Sequence, residues 1–243
     1  MKNKAKPYIV DIFAVQQDNV TIVHSIICNF KSEDSHGAYI SNSFTLSYKN
    51  VKYKNMILRR SMVNGIHVLK YLLPFVLSKS QFLVSIQNER DSLYFKKIVV
   101  KYIPVMKRNG IAVCTILSPY NSIDELRSWI SWYSYQGIKN VLIYSIRPTV
   151  DLENGILPVI QSGFARVYHF HYPFRLKNRY DLIRVQHAQI NSCYYRHKYM
   201  YEGIAFVDLD EYLYSSYYPN SLNKALLSYL HRHRGDYFRV MIV

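Results

Sequence analysis

The sequence predicts an α/β chain in two parts: a small β-rich domain over residues 1–105, then a mostly parallel sheet with flanking helices over residues 106–243. Three observations predict it. The first hundred residues hold short β-branched and aromatic segments separated by polar turns. After Met106-Lys107-Arg108-Asn109-Gly110, continuous apolar runs take over, as expected of strands buried on both faces. Helix signals fall between those runs, and strands alternating with helices wind into a parallel sheet through right-handed crossovers.

In chain order, Tyr8 to Val15, Thr21 to Phe30, Ala38 to Tyr48 and Asn55 to Arg59 read as strands. Gln17-Asp18-Asn19, Ser32 to Gly37 and Lys49-Asn50 supply the turns between them. Phe82 to Gln87 and Leu93 to Tyr102 flank a polar pentapeptide and read as a hairpin. In the second part Ile111 to Leu117 (IAVCTIL) is the first buried strand. Ser122-Ile123-Asp124-Glu125 is a capping box that opens a helix with Ile123, Leu126, Ile130 and Tyr133 on one face and Gly137 at its end. Lys139 to Tyr144 is the second strand, about Leu152 to Gln161 a second helix, and Phe164 to Phe170 the third strand. Asp181 is placed to cap a third helix running to about Lys198, and Gly203 to Val207 is the fourth strand.

The composition narrows the function. The chain has 243 residues, 49% of them hydrophobic and 19% charged, enough to bury a core. Its formal charge of +15 is spread along the chain, net +9 over residues 1–105 and +6 over the rest, with no run of five like charges. The densest basic stretch, Arg166 to Lys198, would attract any polyanion: a nucleic acid, an anionic membrane or a nucleotide diphosphate. No helix-turn-helix, zinc-finger or RNP-type signature accompanies it, so nucleic acid is not the expected partner. The 24 tyrosines, beside many Lys, Asn and Ile, are also what AT-rich coding would give.

Three cysteines, Cys28, Cys114 and Cys193, are too few and too scattered for a disulfide scaffold or a zinc site to be expected. The most apolar window, Val63 to Leu77, is interrupted by Asn64, His67, Lys70 and Pro74, so no transmembrane helix is expected, and the first ten residues are no signal peptide. Asn19-Val20-Thr21 is a glycosylation sequon and favours a secretory route.

In parallel sheets ligands bind at the carboxyl ends of the strands. Two polar sequences fall there: Ser118-Pro119-Tyr120-Asn121 after the first strand and Asp208-Leu209-Asp210-Glu211 after the fourth. In extended backbone, residues two apart share a face, so Asp208 and Asp210 can converge on one site. Three acids in four positions repel one another unless a cation or hydrogen bonds compensate. Mg²⁺ and Mn²⁺ take such oxygen ligands together with substrate phosphates. A solvated loop or a helix start would use the same acids.

From Cys114 onward the chain holds Leu126-Arg127-Ser128-Trp129-Ile130-Ser131-Trp132-Tyr133, Gln136-Gly137-Ile138, Val141-Leu142-Ile143-Tyr144, Leu157-Pro158-Val159-Ile160 with Ser162-Gly163, Gln186 to Arg196, and Ala205-Phe206-Val207-Asp208-Leu209-Asp210-Glu211-Tyr212-Leu213. In the order and spacing of these segments it resembles glycosyltransferase family 92, formerly a domain of unknown function. The resemblance implies a GT-A-like (Rossmann-like) fold preceded by a β-rich domain. It implies transfer of a hexose, most often galactose, from a UDP-sugar to a glycan or glycoprotein acceptor, with inversion and a divalent metal. On this analogy Asp208 and Asp210 hold Mn²⁺ or Mg²⁺ and the diphosphate. Pro119, Tyr120, Asn121 and Glu125 lie near the nucleotide, and Gln186 and Asn191 face it from the third helix. Glu125 is equally explained as a capping residue, Gln186 and Asn191 as exposed helix positions, and Trp129 and Trp132 as packing.

The chain departs from the family pattern in places. Asn191-Ser192-Cys193 stands where Asn-Asp-Cys is usual, Ser145 where an acid often follows, and the usual N-terminal Golgi membrane anchor is absent. Only 33 residues follow Asp210, so the second domain is expected to be incomplete at its C-terminus, with the catalytic base beyond Val243. Two other readings are open at this point: a catalytically inactive carbohydrate-binding fragment, and a basic protein that binds nucleic acid or anionic membranes.

Overall fold

A computed structural model describes residues 8–28, 44–61, 66–77, 79–88, 93–104, 110–118, 120–146, 149–170 and 179–232. Its contacts divide the chain into two units, residues 1–105 with 172–196, and residues 106–171 with 197–243.

The first unit is built on seven strands: β1 (Tyr8–Gln17), β2 (Val20–Cys28), β3 (Phe44–Tyr48), β4 (Val51–Ser61), β5 (Ile66–Leu73), β6 (Gln81–Asn88) and β7 (Leu93–Ile103). They close into a barrel of order β1-β2-β5-β4-β3-β6-β7. Neighbours run antiparallel except at the closure, where Phe13, Ala14 and Val15 of β1 pair in parallel with Lys101, Tyr102 and Ile103 of β7. Turn chemistry sets two of the hairpins. Asp18 (φ 53°) is left-handed between β1 and β2, and Lys49 and Asn50 (φ 46° and 66°) between β3 and β4 are both left-handed, as a type I′ turn requires.

Alternate residues fill the barrel core, as in Phe82, Val84 and Ile86 of β6 and Leu69, Tyr71 and Leu73 of β5. On β7, Lys97 takes φ 53° where the register slips against β6, a bulge that lets Phe95 and Ile98 both pack on the core. The helix α4 (Arg179–His197) packs on β1 and β2. Arg196 bonds both oxygens of Asp11 at 2.6 and 2.7 Å and lies over the Phe13 ring, Ser192 donates to Asp11, and Tyr195 stacks 5.4 Å from His24.

The second unit holds a small parallel sheet of β8 (Ile111–Leu117), β9 (Asn140–Ser145), β10 (Ala165–His169) and β11 (Gly203–Phe206), in the order β10-β9-β8-β11. Its helices are α1 (Ile123–Tyr135), α2 (Thr149–Gly155), α3 (Leu157–Gln161) and α5 (Leu222–Arg232). The capping box of α1 forms as expected: Glu125 N–H donates to Ser122 Oγ at 3.1 Å and Ser122 N–H to Glu125 Oε2 at 2.9 Å. Gly137 (φ 73°) ends α1 in a Schellman motif, with Ile138 N–H bonded to Tyr133 C=O and Gly137 N–H to Ser134 C=O, both at 3.0 Å. Leu126, Trp129, Ile130 and Tyr133 bury the inner face of α1 against Val113, Val141 and Ile143.

The predicted fold class does not hold. Strand is the dominant secondary structure, the largest element is the closed barrel, and the parallel sheet has only four strands, so the chain is not a Rossmann-like parallel-sheet fold. The β-α-β rhythm of the second half is local, whereas the barrel depends on β5, which inserts between β2 and β4. His67 and Lys70 break the apolar run that would have marked it. Smaller differences concern the helices. The single second helix is two, α2 and α3, parted at Ile156 before Pro158. The third helix starts at Arg179, so Asp181 lies inside it rather than at its cap. Among the described residues, no helix is long and apolar enough to cross a membrane.

Candidate functional site

The chain runs outward from β8 to β9 to β10 and then crosses to the other side of β8 to form β11. The carboxyl ends of β8 and β11 are therefore neighbours on either side of the point where strand order reverses, the place where open parallel sheets bind ligands. Phe206 is in register with Cys114, and Val207 N–H donates to Cys114 C=O at 3.1 Å, so the acidic sequence begins directly off the ladder.

Asp208 to Glu211 form a turn, not an extension of the strand. Glu211 N–H donates to Asp208 C=O at 3.1 Å, and the Glu211 carboxylate accepts from Asp208 N–H at 2.9 Å. Asp208 and Asp210 are exposed, while Val207 before them and Leu209 between them are buried in the core. The two carboxylates thus reach solvent from a turn whose apolar members anchor it. Partial burial raises the Asp208 carboxyl above the usual aspartate range, and the charges of Glu211 and Asp210 raise it further.

Three side chains of α1 hold this turn by its backbone. Trp129 Nε1 donates to Asp208 C=O at 2.9 Å, and Trp132 Nε1 donates to Leu213 C=O at 3.0 Å. The Tyr133 hydroxyl donates to Glu211 C=O at 3.2 Å and accepts from Leu213 N–H at 3.1 Å. Burial, with smaller contributions from Glu211 and Tyr212, leaves its pKa pushed up to about 12 although Leu213 N–H favours the phenolate. The spacing i, i+3, i+4 places the three on one helix face. Sequence reasoning assigned the two tryptophans to packing and Tyr133 to the apolar face. The signal it passed over is that each of these aromatic bodies carries a polar tip.

The other expected site residues divide between the units. After β8, the loop is closed by Asn121, whose Oδ1 accepts from Ser118 N–H at 2.8 Å, and Tyr120 is 86% exposed. Pro119 lies outside the described residues. Glu125 sits on the exposed first turn of α1 with its carboxylate engaged in the capping box. Gln186 and Asn191 belong to the unit that contains the barrel. Gln186 is half-buried, and Asn191 is buried with its Nδ2 donating to His187 C=O at 2.7 Å, so neither is the exposed helix position considered above.

Of the basic stretch, Arg196 is committed to Asp11, and Arg166 is exposed on β10. Arg175 and Lys177, and the side chains of Arg179 and Arg184, lie outside the described residues.

Among the described residues, no group of three or more His, Cys, Asp or Glu side chains is arranged to hold a metal ion. Two carboxylates on one turn suit a hard cation that takes its remaining oxygens from water and phosphate. The donor set suits a hard ion such as Mg²⁺ or Mn²⁺ and lacks the thiolates and imidazoles of a zinc or copper cage.

The sequence itself decides the family. The model of glycosyltransferase family 92 matches residues 108–239, more than half of the chain, and it spans α1, the turn at Asp208 and α5. The chain belongs to glycosyltransferase family 92. As a member of it, this protein is a glycosyltransferase, whose substrates are a sugar donor and a glycan acceptor. No curated protein matches the sequence. The family match covers the parallel sheet and its helices and leaves β1 to β7 outside.

Proposed function

We propose that this glycosyltransferase moves a hexose, galactose in the first instance, from a UDP-sugar to a glycan or glycoprotein acceptor with inversion. Asp208 and Asp210 would hold Mn²⁺ or Mg²⁺, and through it the donor diphosphate. One observation carries the reading: within the matched region, two exposed and mutually repelling carboxylates stand on a turn at the carboxyl end of β11, beside the loop that follows β8. A bound divalent ion would neutralise the charge that develops on the departing nucleoside diphosphate.

This chain's own residues prepare that site. Glu211 is spent on the Asp208 backbone, which leaves Asp208 and Asp210 as the ligands. Asn121 shapes the neighbouring loop, and Tyr120 is exposed at its tip; it would meet the nucleotide there. The Golgi membrane is the location this activity would call for.

Isothermal titration of UDP-galactose in the presence and absence of Mn²⁺ tests the reading. Binding should require the metal, and Asp210→Ala should weaken it by at least about tenfold, on the scale at which metal-site changes act. Metal-independent binding, or an unchanged affinity in Asp210→Ala, would remove Asp210 from the site.

A further inference from the structure

We infer that Trp129, Trp132 and Tyr133 are positioning residues for the carboxylate pair: they hold the acidic turn in place by its backbone so that both acids stay free for a cation. The inference rests on the metal-site reading above and deepens it.

The turn has a reason to move. Asp208, Asp210 and Glu211 repel one another within four residues, and the repulsion is relieved if the turn opens. Four hydrogen bonds from α1 oppose that, to Asp208 C=O, Glu211 C=O, Leu213 C=O and Leu213 N–H. All are made to main-chain atoms, so none occupies the Asp208 or Asp210 carboxylate. The helix side is rigid: Trp129 and Tyr133 are fully buried with ring centroids 4.5 Å apart, and the capping box and the Schellman motif fix the two ends of α1. Trp132 also meets the ring of Tyr212 edge-on at 5.8 Å, which orients the residue following the acids. A site held ready in this way binds its ion without first having to order the loop.

The chain has two tryptophans, and both belong to this network. Their indole N–H signals therefore report on the acidic turn alone. In the full chain, Mn²⁺ affinity is measured by electron paramagnetic resonance with UDP present, and the indole N–H resonances are followed through a parallel Mg²⁺ titration. Tyr133→Phe removes only the hydroxyl, and Trp132→Phe only one donor and part of a half-buried ring. Each is expected to weaken Mn²⁺ by about tenfold and to shift the Trp129 indole signal. Ile130→Val, on the same helix but outside the network, should lower thermal stability and leave Mn²⁺ affinity unchanged.

Equal Mn²⁺ affinity in the wild type, Tyr133→Phe and Trp132→Phe would overturn the positioning role while leaving the metal site intact. So would an Ile130→Val variant that loses affinity in proportion to its stability, because general destabilisation would then explain the effect. No Mn²⁺ binding by the wild type would overturn the metal-site reading, and this inference with it.

Discussion

Tyr71 in the barrel and Tyr133 on α1 are both fully buried, and burial raises the pKa of both, yet their hydroxyls meet different surroundings. Tyr71 belongs to a core of alternating strand residues. The Ser25 hydroxyl is near enough to lower its pKa slightly, but Tyr71 Oη has no partner at hydrogen-bond distance among the described residues. Tyr133 Oη is engaged on both sides, by Glu211 C=O and Leu213 N–H. The difference follows from the backbone. Barrel strands satisfy each other's amides and carbonyls, so an interior side chain such as Tyr71 need only fill space. The stretch after β11 is irregular and must borrow donors and acceptors from a helix. In the parallel-sheet unit the polar tips of Trp129, Trp132 and Tyr133 are therefore put to use.

The largest test of that contrast is Trp129→Ala. It empties the space of a fully buried indole and also removes the donor to Asp208 C=O, and should cost about 3–5 kcal/mol in urea denaturation. A cost under about 1 kcal/mol would mean that the core reforms around the gap and that the turn does not depend on this side chain. The two tyrosines give the direct comparison. Tyr133→Phe leaves Leu213 N–H and Glu211 C=O without their partner and should cost about 1–3 kcal/mol, whereas Tyr71→Phe discards a hydroxyl that has no partner at hydrogen-bond distance among the described residues and should cost well under that. Equal costs would erase the distinction between the units.

The same contrast explains what could be read in the sequence. Local chemistry was legible: the capping box at Ser122, the stop at Gly137, and the turns at Asp18 and Lys49-Asn50 all form where their residue types call for them. The position of the acid pair at a strand end was also legible. Closure was not, because β1 meets β7 across almost the whole first unit and no local pattern records a pairing of that range. β5 was hidden by His67 and Lys70, although its pairing with both β2 and β4 completes the barrel. In the site, the aromatic holders were hidden because their apolar bodies already accounted for them as core, and their donated hydrogen bonds run to main-chain atoms that no side-chain pattern reveals. The extended geometry expected for Asp208 and Asp210 gave way to a turn once Glu211 could cap Asp208 N–H.

A smaller effect separates the units by how they reverse the chain. In the barrel unit the left-handed positions among the described residues are Asp18, Lys49, Asn50 and Lys97, whereas Gly110, Gly137 and Gly163, with Asn220, serve the other unit. At Gly137 an added Cβ would meet Asn220 C=O at only 3.5 Å, ordinary contact, so the cost of Gly137→Ala is conformational rather than steric crowding from neighbours. It should be about 1–2 kcal/mol. Calorimetry should show a lower melting temperature with Mn²⁺ affinity unchanged, because Gly137 makes none of the hydrogen bonds that hold the acidic turn. A fall in affinity would tie the helix end to the site.

The smallest effect has a sign that depends on pH. Asp208 titrates above its ordinary value of 3.8 in the folded chain, so the folded state binds its proton more tightly than the unfolded state does. Stability must then fall as pH rises from the ordinary aspartate value through the raised one, and stay lowered above it. Asp208→Asn removes the titration. The variant should be more stable than the wild type at neutral pH, and the gap should close as the pH drops below the ordinary aspartate range. Mn²⁺ with UDP should reverse the order, since only the wild type keeps both carboxylates and an ion that binds the folded state alone stabilises it. Urea midpoints for both proteins between acid and neutral pH, with and without the ion, supply the measurement. A gap that persists unchanged into acid would mean that neither burial nor repulsion among the acids raises the Asp208 pKa, and the case for a cation between them would lose its electrostatic footing.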